Sequence, residues 1–310
     1  MGETLSDILK LARDFMESRV LLTAAELDLF TLLGNVPLSA RDAAARTGAD
    51  VRALGFLLDA LAAMGFLVKE RETYRTVPVV LPLLSSSHPD SVRPMVLHAA
   101  HLWRRWSRLT DIVAGGKSLP EKPERRKKET EAFIGAMHVV AEPMAAGIAK
   151  EVAPGSSKAF LDVGGASGTY TIAFLQAVPE MKATLFDRPG VVEMARKRIA
   201  EAGFLDRVTL VAGDFSRDEL PGGHDLALLS AIIHQNSPEE NRDLCGKVNR
   251  ALVSGGRIII RDHVMEPDRT RPKDGALFAI NMLVGTEGGG TYTFGEIESW
   301  LEAAGFTGIR

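Results

Sequence analysis

One stretch of nine residues limits the fold of this chain more than any other. An apolar run, Phe160–Val163, passes directly into a glycine-rich turn, Gly164–Gly168. Glycines let the backbone approach a bound molecule closely, and the free N–H groups at the start of a following helix attract anionic groups. A second predicted strand ends in Asp187, nineteen residues after Gly168, which is about the spacing at which a carboxylate meets ribose hydroxyls. The pattern predicts a strand, turn and helix that bind an adenosine-containing cofactor.

Strand and helix signals alternate from Lys158 onward. Strands are predicted at 159–163, 182–186, 208–211, 225–233 and 256–261, with helices at 169–177, 190–202 and 238–252. Nearly continuous apolar runs such as Leu226–Ile233 are typical of parallel strands that are buried on both faces. The predicted fold class is therefore α/β, with a doubly wound, Rossmann-like domain and a mostly parallel sheet over residues 158–310.

Composition excludes several classes of protein. The chain has 310 residues, 45% apolar and 25% charged, which indicates a globular protein of about two domains with a sizeable core. Residues 1–20 carry seven charged side chains, and no uninterrupted apolar run reaches the ~20 residues of a membrane-spanning helix. We expect a cytoplasmic protein that does not use a membrane. The one cysteine, Cys245, is expected to be a buried helical residue.

The first 95 residues predict a small helical, winged-helix domain with a β-wing. Ser39 and Asp50 are placed to cap helices over 40–46 and 51–64, and the wing strands are expected near 66–68 and 74–77. The helix that would read DNA carries Asp50, Arg52 and Asp59, so it lacks the positive charge that nucleic-acid binding requires. We expect packing instead, as a homodimer formed through the apolar residues Leu5, Ile8, Leu9, Leu11, Phe15, Val20, Leu21 and Leu22.

Residues 96–157 predict a helical linker between the two domains. Trp103, Phe133 and Met137 recur at spacings that place them on one face of successive helices. From spacing alone, an apolar stripe of this kind indicates core packing rather than a ligand site.

Ligands bind beyond the carboxyl ends of the strands in such sheets. The residues at those positions are the glycine turn, Asp187, Asp214, His234 and Asp262. His234 and Asp262 follow neighbouring strands, so the carboxylate is able to orient the imidazole as a general base. An equally weighted alternative is that His234 satisfies a backbone carbonyl or caps the next helix, and Asp214 is also a common turn residue.

The chain resembles the small-molecule O-methyltransferases of the caffeic-acid and acetylserotonin type, which use S-adenosylmethionine. Leu161–Gly168 matches their cofactor loop, Phe186–Val192 their ribose-binding strand end and Gly213–Phe215 their adenine-side turn. The resemblance implies release of S-adenosylhomocysteine and an intertwined dimer. The residues that it places at the cofactor are Asp162, Gly164, Gly165, Ala166, Gly168, Asp187, Arg188, Asp214, Phe215 and Ser230.

The same resemblance implies the catalytic and acceptor-binding residues. The family's catalytic histidine falls on His234 and its orienting carboxylate on Asp262, and no metal is expected. Under this resemblance the apolar stripe faces the acceptor, which is expected to be a small aromatic or natural-product hydroxyl compound. The implied acceptor-binding residues are Trp103, Phe133, Met137, Phe278, Met282 and Thr291.

The chain departs from the family at several of these positions. Gln235 and Asn236 replace the Asp-Trp pair that follows the histidine, Thr291 replaces a second glutamate, Ser230 replaces a lysine and Ala166 replaces a glycine. Methylation of nitrogen or carbon, or binding of the cofactor without transfer, is therefore an alternative. A ligand-responsive transcription regulator and a nicotinamide-dependent oxidoreductase are two others. The resemblance also implies a final strand pair beyond Arg310.

Overall fold

The structure is a computed structural model, and it describes residues 4–34, 36–116 and 126–310. The chain divides into two compact units. The first consists of Met1–Arg104 and Lys127–Ala136, and the second of Arg105–Arg126 and Met137–Arg310.

The first unit is mainly helical and contains one small sheet. Its three strands pair antiparallel in the order β1-β3-β2, and β1 is a two-residue strand that the sequence pattern did not predict. The elements up to the end of the first segment are α1 (Leu5–Leu11), α2 (Phe15–Glu26), α3 (Leu29–Leu32), β1 (Leu38–Ser39), α4 (Ala40–Thr47), α5 (Val51–Ala63), β2 (Leu67–Glu70), β3 (Thr73–Thr76), α6 (Leu81–Leu84) and α7 (Arg93–Trp106).

Local signals explain the helix boundaries in this unit. The Ser39 side chain accepts a hydrogen bond from the Asp42 amide, and the Asp50 side chain accepts one from the Ala53 amide, so both predicted caps are present. Gly48 ends α4 in the left-handed conformation, with φ of 72°. The two helices and the β2–β3 hairpin lie within one or two residues of their predicted bounds.

The first two helices expose an apolar surface. Leu5 is 74% exposed, Leu11 is 65% exposed and Phe15 is 48% exposed. The core of the unit is formed by other residues, such as Phe30, Leu33, Leu58 and Leu61, which are fully buried. We call the exposed residues Leu5, Ile8, Leu9, Leu11, Phe15 and Met16 the N-terminal apolar face.

The second unit is an α/β domain whose five-stranded sheet is parallel throughout. Its elements are α8 (Leu109–Gly115), α9 (Arg126–Val152), β4 (Ala159–Val163), α10 (Thr169–Ala177), β5 (Lys182–Asp187), α11 (Pro189–Glu201), β6 (Val208–Ala212), β7 (His224–Ser230), α12 (Pro238–Ala251), β8 (Leu252–Arg261), β9 (Val264–Met265), α13 (Lys273–Gly285), β10 (Tyr292–Thr293) and α14 (Phe294–Ala303). Residues 127–136 of α9 belong to the first unit.

The strand order is β6-β5-β4-β7-β8, which confirms the predicted doubly wound sheet. The chain runs outward from β4 through β5 to β6 and then returns to the other side of β4 with β7. Order reverses at β4, and this is where such sheets open a crevice for ligands beyond the carboxyl ends of the strands.

Strand β7 is shorter than the sequence predicted. The strand ends at Ser230, and Ala231 takes a positive φ of 57° while its amide donates to the Arg261 carbonyl at 2.8 Å. The chain then forms a 3₁₀ turn over Ile233–Gln235. The prediction of a strand to Ile233 is therefore wrong. Ile232 and Ile233 are buried although they lie outside the strand, so the apolar run continues past the point where the strand ends.

One helical segment, Ala132–Val152, is long and apolar enough to cross a membrane by length and hydropathy alone. In the second unit, three of its alanines, Ala141, Ala145 and Ala149, pack into a hydrophobic cluster with Phe160 and Phe174. The packing is that of a helix that covers one face of the sheet.

Candidate active site

The glycine turn packs tightly against the strands beside it. Gly164 has φ of 69°, and a Cβ atom there would lie 2.3 Å from Cδ1 of Ile232. A Cβ atom on Gly165 would lie 2.7 Å from Cγ of Leu185 and 2.9 Å from Cγ of Asp162. Side chains at these two positions would force the turn away from the sheet, so the glycines allow the close backbone approach that cofactor binding requires.

Asp187 connects this turn to the end of β5. One carboxylate oxygen accepts the Ala166 amide at 2.9 Å, and the other accepts the Arg188 amide at 2.7 Å. Burial raises the pKa of Asp187, and these two hydrogen bonds oppose the change. Ala166 takes φ of 46° in this arrangement, an uncommon conformation for a residue other than glycine.

Asp162 lies beneath the turn rather than on its surface. Its side chain is 2% exposed, and it accepts a 2.6 Å hydrogen bond from the Thr171 hydroxyl. Burial raises the pKa of Asp162 to about 6. The position is that of a residue that supports the turn from inside the domain.

Asp214 and Phe215 follow β6. One oxygen of Asp214 accepts both the amide and the hydroxyl of Ser216, at 3.0 and 2.6 Å, and these bonds lower the pKa of Asp214. The carbonyl of Phe215 accepts a 2.8 Å hydrogen bond from Nζ of Lys247. Asp214 thus stabilises a turn through its side chain, in agreement with the alternative that it is a turn residue. Its second carboxylate oxygen takes no part in these two hydrogen bonds.

The end of β7 carries an unsatisfied polar atom. Within the part of the chain that the structure describes, Oγ of Ser230 is buried and has no hydrogen-bond partner. A buried hydroxyl without a partner is unfavourable by about 1–3 kcal/mol, so such atoms mark places where a ligand or water binds. The buried Ser230 hydroxyl and the close packing at Gly164 and Gly165 agree with the prediction that a cofactor binds beyond these strand ends.

His234 and Asp262 meet at the next two strand ends. Nδ1 of His234 lies 2.8 Å from Oδ1 of Asp262, and the side chains are 13% and 1% exposed. Asp262 also accepts the amides of His234 and His263, at 3.4 and 2.8 Å. Because an ionised carboxylate only accepts, Nδ1 carries the hydrogen, and in the neutral tautomer with this hydrogen the lone pair is on Nε2. The pair is therefore able to take up a proton at Nε2.

Two further rings pack around this pair. The Phe278 ring meets the His234 ring edge to face, with centroids 4.8 Å apart, and stacks on the His263 ring with centroids 4.2 Å apart. Burial lowers the pKa of His263. His263 was not among the predicted site residues, although its place directly after Asp262 was a signal for it.

A glycine loop braces the backbone of His234. The Gly290 amide donates to the His234 carbonyl at 2.9 Å, and the Tyr292 hydroxyl donates to the Asn236 carbonyl. A Cβ atom on Gly289 would lie 2.4 Å from the His234 carbonyl oxygen. The run of three glycines at 288–290 was the overlooked sequence signal for this contact.

The predicted acceptor-binding residues are divided between the two units. Trp103 and Phe133 belong to the first unit, where Trp103 packs on Phe15 and the Phe133 ring contacts His98. Met137, Phe278, Met282 and Thr291 belong to the second unit. The Phe278 ring contacts the His234 ring. Met282 lies one turn further along α13 and is 8% exposed.

Thr291 is 5% exposed, and its carbonyl accepts a 2.8 Å hydrogen bond from Arg269. Within residues 4–34, 36–116 and 126–310, no three His, Cys, Asp or Glu side chains are arranged to hold a metal ion.

Comparison with known proteins places this geometry in a family. A model of the O-methyltransferase domain matches residues 112–307, and a model of the O-methyltransferase dimerisation domain matches residues 9–84. The chain is 32% identical to the tetracenomycin polyketide synthesis 8-O-methyl transferase TcmO of Streptomyces glaucescens, over 98% of this chain and 92% of that protein.

A second relative and a solved structure are also similar to this chain along nearly its whole length. The 3-hydroxy-5-methyl-1-naphthoate 3-O-methyltransferase of Streptomyces sahachiroi is 32% identical, over 97% of this chain and 89% of that protein. The solved structure of PigF with SAH has a TM-score of 0.88 at 26% identity and covers 99% of this chain and 95% of that one. The chain belongs to the family of S-adenosylmethionine-dependent O-methyltransferases.

Proposed function

We propose that the protein methylates a hydroxyl group of an aromatic, natural-product-like acceptor and that His234 is the general base. The observation that carries this proposal is the 2.8 Å contact between Nδ1 of His234 and Oδ1 of Asp262. It leaves Nε2 as the basic atom of a partly exposed ring beyond the carboxyl end of β7.

The two residues have different roles in this proposal. Nε2 of His234 takes the proton from the acceptor hydroxyl as that oxygen becomes nucleophilic, which contributes about 10²–10⁴ in rate. Asp262 holds the ring in one orientation and stabilises the imidazolium that forms. Asp262 is almost fully buried and accepts three N–H groups, so it stays fixed while the ring changes charge.

The residues of the glycine turn and neighbouring strand ends fit S-adenosylmethionine. Gly164, Gly165 and Ala166 provide the close backbone, and Asp187 provides the acceptor for ribose hydroxyls. Ser230 provides a buried hydroxyl that has no partner among the described residues. When it is bound, S-adenosylmethionine supplies a methyl group on a positively charged sulfur. We infer that Asp162 acts by supporting the turn, and that Gly168, Arg188, Asp214 and Phe215 complete the site.

The proposed acceptor class rests on the relatives and on the rings near His234. Two relatives are named for methylation of a tetracenomycin polyketide at its 8-oxygen and of a hydroxy-methyl-naphthoate at its 3-oxygen. Phe278 offers this chain an aromatic contact beside His234. We propose that Met137, Met282 and Thr291, which belong to the same unit as His234, line the same region.

We also propose that the protein is a homodimer assembled through its N-terminal residues. The dimerisation-domain match covers residues 9–84, and the N-terminal apolar face is exposed within its unit. Light scattering after gel filtration is expected to give twice the chain mass, and charged substitutions at Leu9 and Phe15 are expected to give a monomer. We infer a cytoplasmic location, in agreement with the single buried free thiol, Cys245.

A second candidate keeps the cofactor and changes the accepting atom to nitrogen or carbon. The Asp-Trp pair of related enzymes is replaced here by Gln235 and Asn236, and the side chain of Asn236 is buried in a 3.1 Å hydrogen bond to Asn241. These differences alter the surroundings of His234 without removing its carboxylate partner.

One experiment distinguishes these candidates. The protein is incubated with S-adenosylmethionine and a matched set of hydroxylated, aminated and unsubstituted fused-ring aromatics, and both S-adenosylhomocysteine and the methylated product are measured. We expect turnover with hydroxylated rings and a product whose new methyl group is on oxygen. Methylation only on nitrogen or carbon favours the second candidate, while no S-adenosylhomocysteine with any acceptor contradicts both.

A further inference from the structure

Arg261, the last residue of β8, has a side chain whose donors are mostly unused. Its Nη2 donates to Sδ of Met144 at 3.6 Å, and among the described residues it has no other hydrogen bond and no carboxylate within salt-bridge distance. A guanidinium has five N–H donors, and a thioether is a weak acceptor. Arg261 is only partly exposed, and a charge that is partly removed from water without an anionic partner is unfavourable. The side chain therefore fits a site that takes an anion.

The alternation of side chains along the strands shows which face of the sheet Arg261 lies on. Leu228 and Ile259, two residues before Ser230 and Arg261, pack into the cluster that includes the alanines of α9. Ser230 and Arg261 are register partners on β7 and β8, so their side chains lie side by side on this same face. The contact with Met144, a residue of α9, agrees with this placement. The guanidinium thus lies between β8 and α9, next to the strand end with the buried Ser230 hydroxyl.

The order of the strands places Arg261 on the acceptor side of the proposed site. The sheet runs β6-β5-β4-β7-β8, and the proposed cofactor residues follow β6, β5 and β4, with Ser230 on β7 as the last of them. Arg261 is one strand further from the cofactor. It directly precedes Asp262, the residue that holds His234. An anion at Arg261 is therefore expected to belong to the acceptor.

Two observations agree with a position beside the acceptor. Met144 lies seven residues, about two helical turns, after Met137, so both are on one side of α9, and Met137 is proposed to line the acceptor region. Burial lowers the pKa of His263, and the positive charge of Arg261 acts in the same direction. The charge of Arg261 thus acts on the imidazole that stacks on Phe278 beside the base.

We propose that Arg261 is a specificity-determining residue that binds a carboxylate of the acceptor, so that the preferred acceptors are hydroxylated aromatic acids. The inference rests on the proposed methylation of an aromatic hydroxyl group. A guanidinium and a carboxylate form two parallel, charge-assisted hydrogen bonds, which fix the orientation of the acceptor ring and add affinity. The flexible side chain of Met144 gives up its weak contact when the carboxylate binds. Because the pair is present before and during methyl transfer, it contributes to binding rather than to the chemical step.

The test compares acceptors that differ in one carboxylate. 2-Naphthol and its 3- and 6-carboxylates share the fused ring and the hydroxyl group. Steady-state kinetics on the full chain gives kcat and KM with each acceptor for the wild type, Arg261→Gln and Arg261→Lys, and calorimetry gives the affinity for S-adenosylhomocysteine. Arg257→Gln is the matched control, because Arg257 lies on the same strand and donates to the Val152 and Ala153 carbonyls at the carboxyl end of α9.

We expect the wild type to favour at least one of the carboxylates over 2-naphthol by about 10–100-fold in kcat/KM, mainly through KM. Arg261→Gln is expected to remove this preference, and Arg261→Lys to keep part of it, because the charge remains without the planar pair of donors. Arg257→Gln is expected to keep the whole preference. The affinity for S-adenosylhomocysteine is expected to stay within twofold in all three variants.

Three results would overturn the inference. Equal use of 2-naphthol and its carboxylates by the wild type, or a preference that survives in Arg261→Gln, would contradict it and leave the proposed function intact. A loss of S-adenosylhomocysteine affinity in Arg261→Gln as large as the loss for the acceptor would assign the guanidinium to the cofactor instead. If no hydroxyl compound yields a methylated product, the proposed function fails, and this inference fails with it.

Discussion

The imidazole of His234 is held by Asp262 through a 2.8 Å contact between Nδ1 and Oδ1, and only 1% of the Asp262 side chain is exposed. The two residues are 28 positions apart in the sequence, and they meet because β7 and β8 are parallel neighbours. A buried carboxylate beside an imidazole stabilises the imidazolium that forms when the ring gains a proton. This stabilisation favours the step in which a general base accepts the proton.

Asp262→Asn is expected to lower kcat by about 10–100-fold, because it replaces a charge-assisted hydrogen bond with a neutral one. The amide oxygen is still able to accept from Nδ1, so the fold and the affinity for S-adenosylhomocysteine are expected to stay close to those of the wild type. Steady-state kinetics and calorimetry on the same preparation check this. An unchanged kcat would show that the carboxylate is not needed to support the base.

Gly289→Ala is expected to lower kcat by about tenfold or more, because the new Cβ atom would lie 2.4 Å from the His234 carbonyl oxygen and displace the base. Gly290→Ala is the matched control, since a Cβ atom there meets nothing within 4 Å and the amide that donates to His234 is kept. S-adenosylhomocysteine affinity is expected to stay within twofold in both variants. Equal activity of the two variants would contradict the bracing role of this loop.

Asp187→Asn is expected to raise the dissociation constant of S-adenosylhomocysteine by about tenfold or more. The substitution removes a charged acceptor for ribose hydroxyls, and it leaves one oxygen where two accept from the Ala166 and Arg188 amides, so one of these hydrogen bonds is lost. Calorimetry measures the effect, with the exposed Asp206→Asn as a control for loss of one negative charge. Equal affinities in the two variants would remove Asp187 from the cofactor site.

Asp162 gives a prediction about stability without any ligand. Burial raises the pKa of Asp162 from its ordinary value of 3.8 to about 6, so the folded protein binds more protons than the unfolded chain between these pH values. The carboxyl therefore destabilises the fold increasingly as pH rises through that range, by up to about 3 kcal/mol.

The Asp162→Asn variant has no titrating side chain at this position. We therefore expect the free energy of unfolding of the variant, relative to that of the wild type, to be larger at pH 7.5 than at pH 4.5. Urea unfolding at the two pH values measures the difference. Thr171 is able to donate to the asparagine oxygen as it does to the carboxylate, which keeps the comparison fair. A difference between the two proteins that does not vary with pH would contradict the raised pKa.

The sequence predicted the parallel sheet and much of the candidate site because both depend on local signals. Nearly continuous apolar runs mark buried strands, and residues that follow them, such as Asp187, Asp214 and Asp262, are brought to one edge by the topology. The helix caps at Ser39 and Asp50 were predicted for the same reason, since each involves neighbouring residues.

The features that were missed depend on backbone breaks and on contacts between distant segments. The end of β7 at Ser230 follows from the positive φ of Ala231, which an apolar run conceals. The contact of Gly289 with His234 joins residues 55 positions apart. Hydrogen bonds of His138 to Arg198 and Thr169 join three helices, α9, α11 and α10. Spacing in the sequence does not encode which loops meet.

The direct test of the central claim is the turnover of His234→Ala with a methylated-oxygen product as the readout and with S-adenosylhomocysteine affinity measured alongside. His263→Ala is a useful comparison, because it removes the neighbouring imidazole that stacks on the same Phe278 ring. We predict that His234→Ala lowers kcat by about 10²–10⁴-fold, with cofactor affinity within twofold of the wild type. Full turnover by His234→Ala would contradict the account of His234 as the general base.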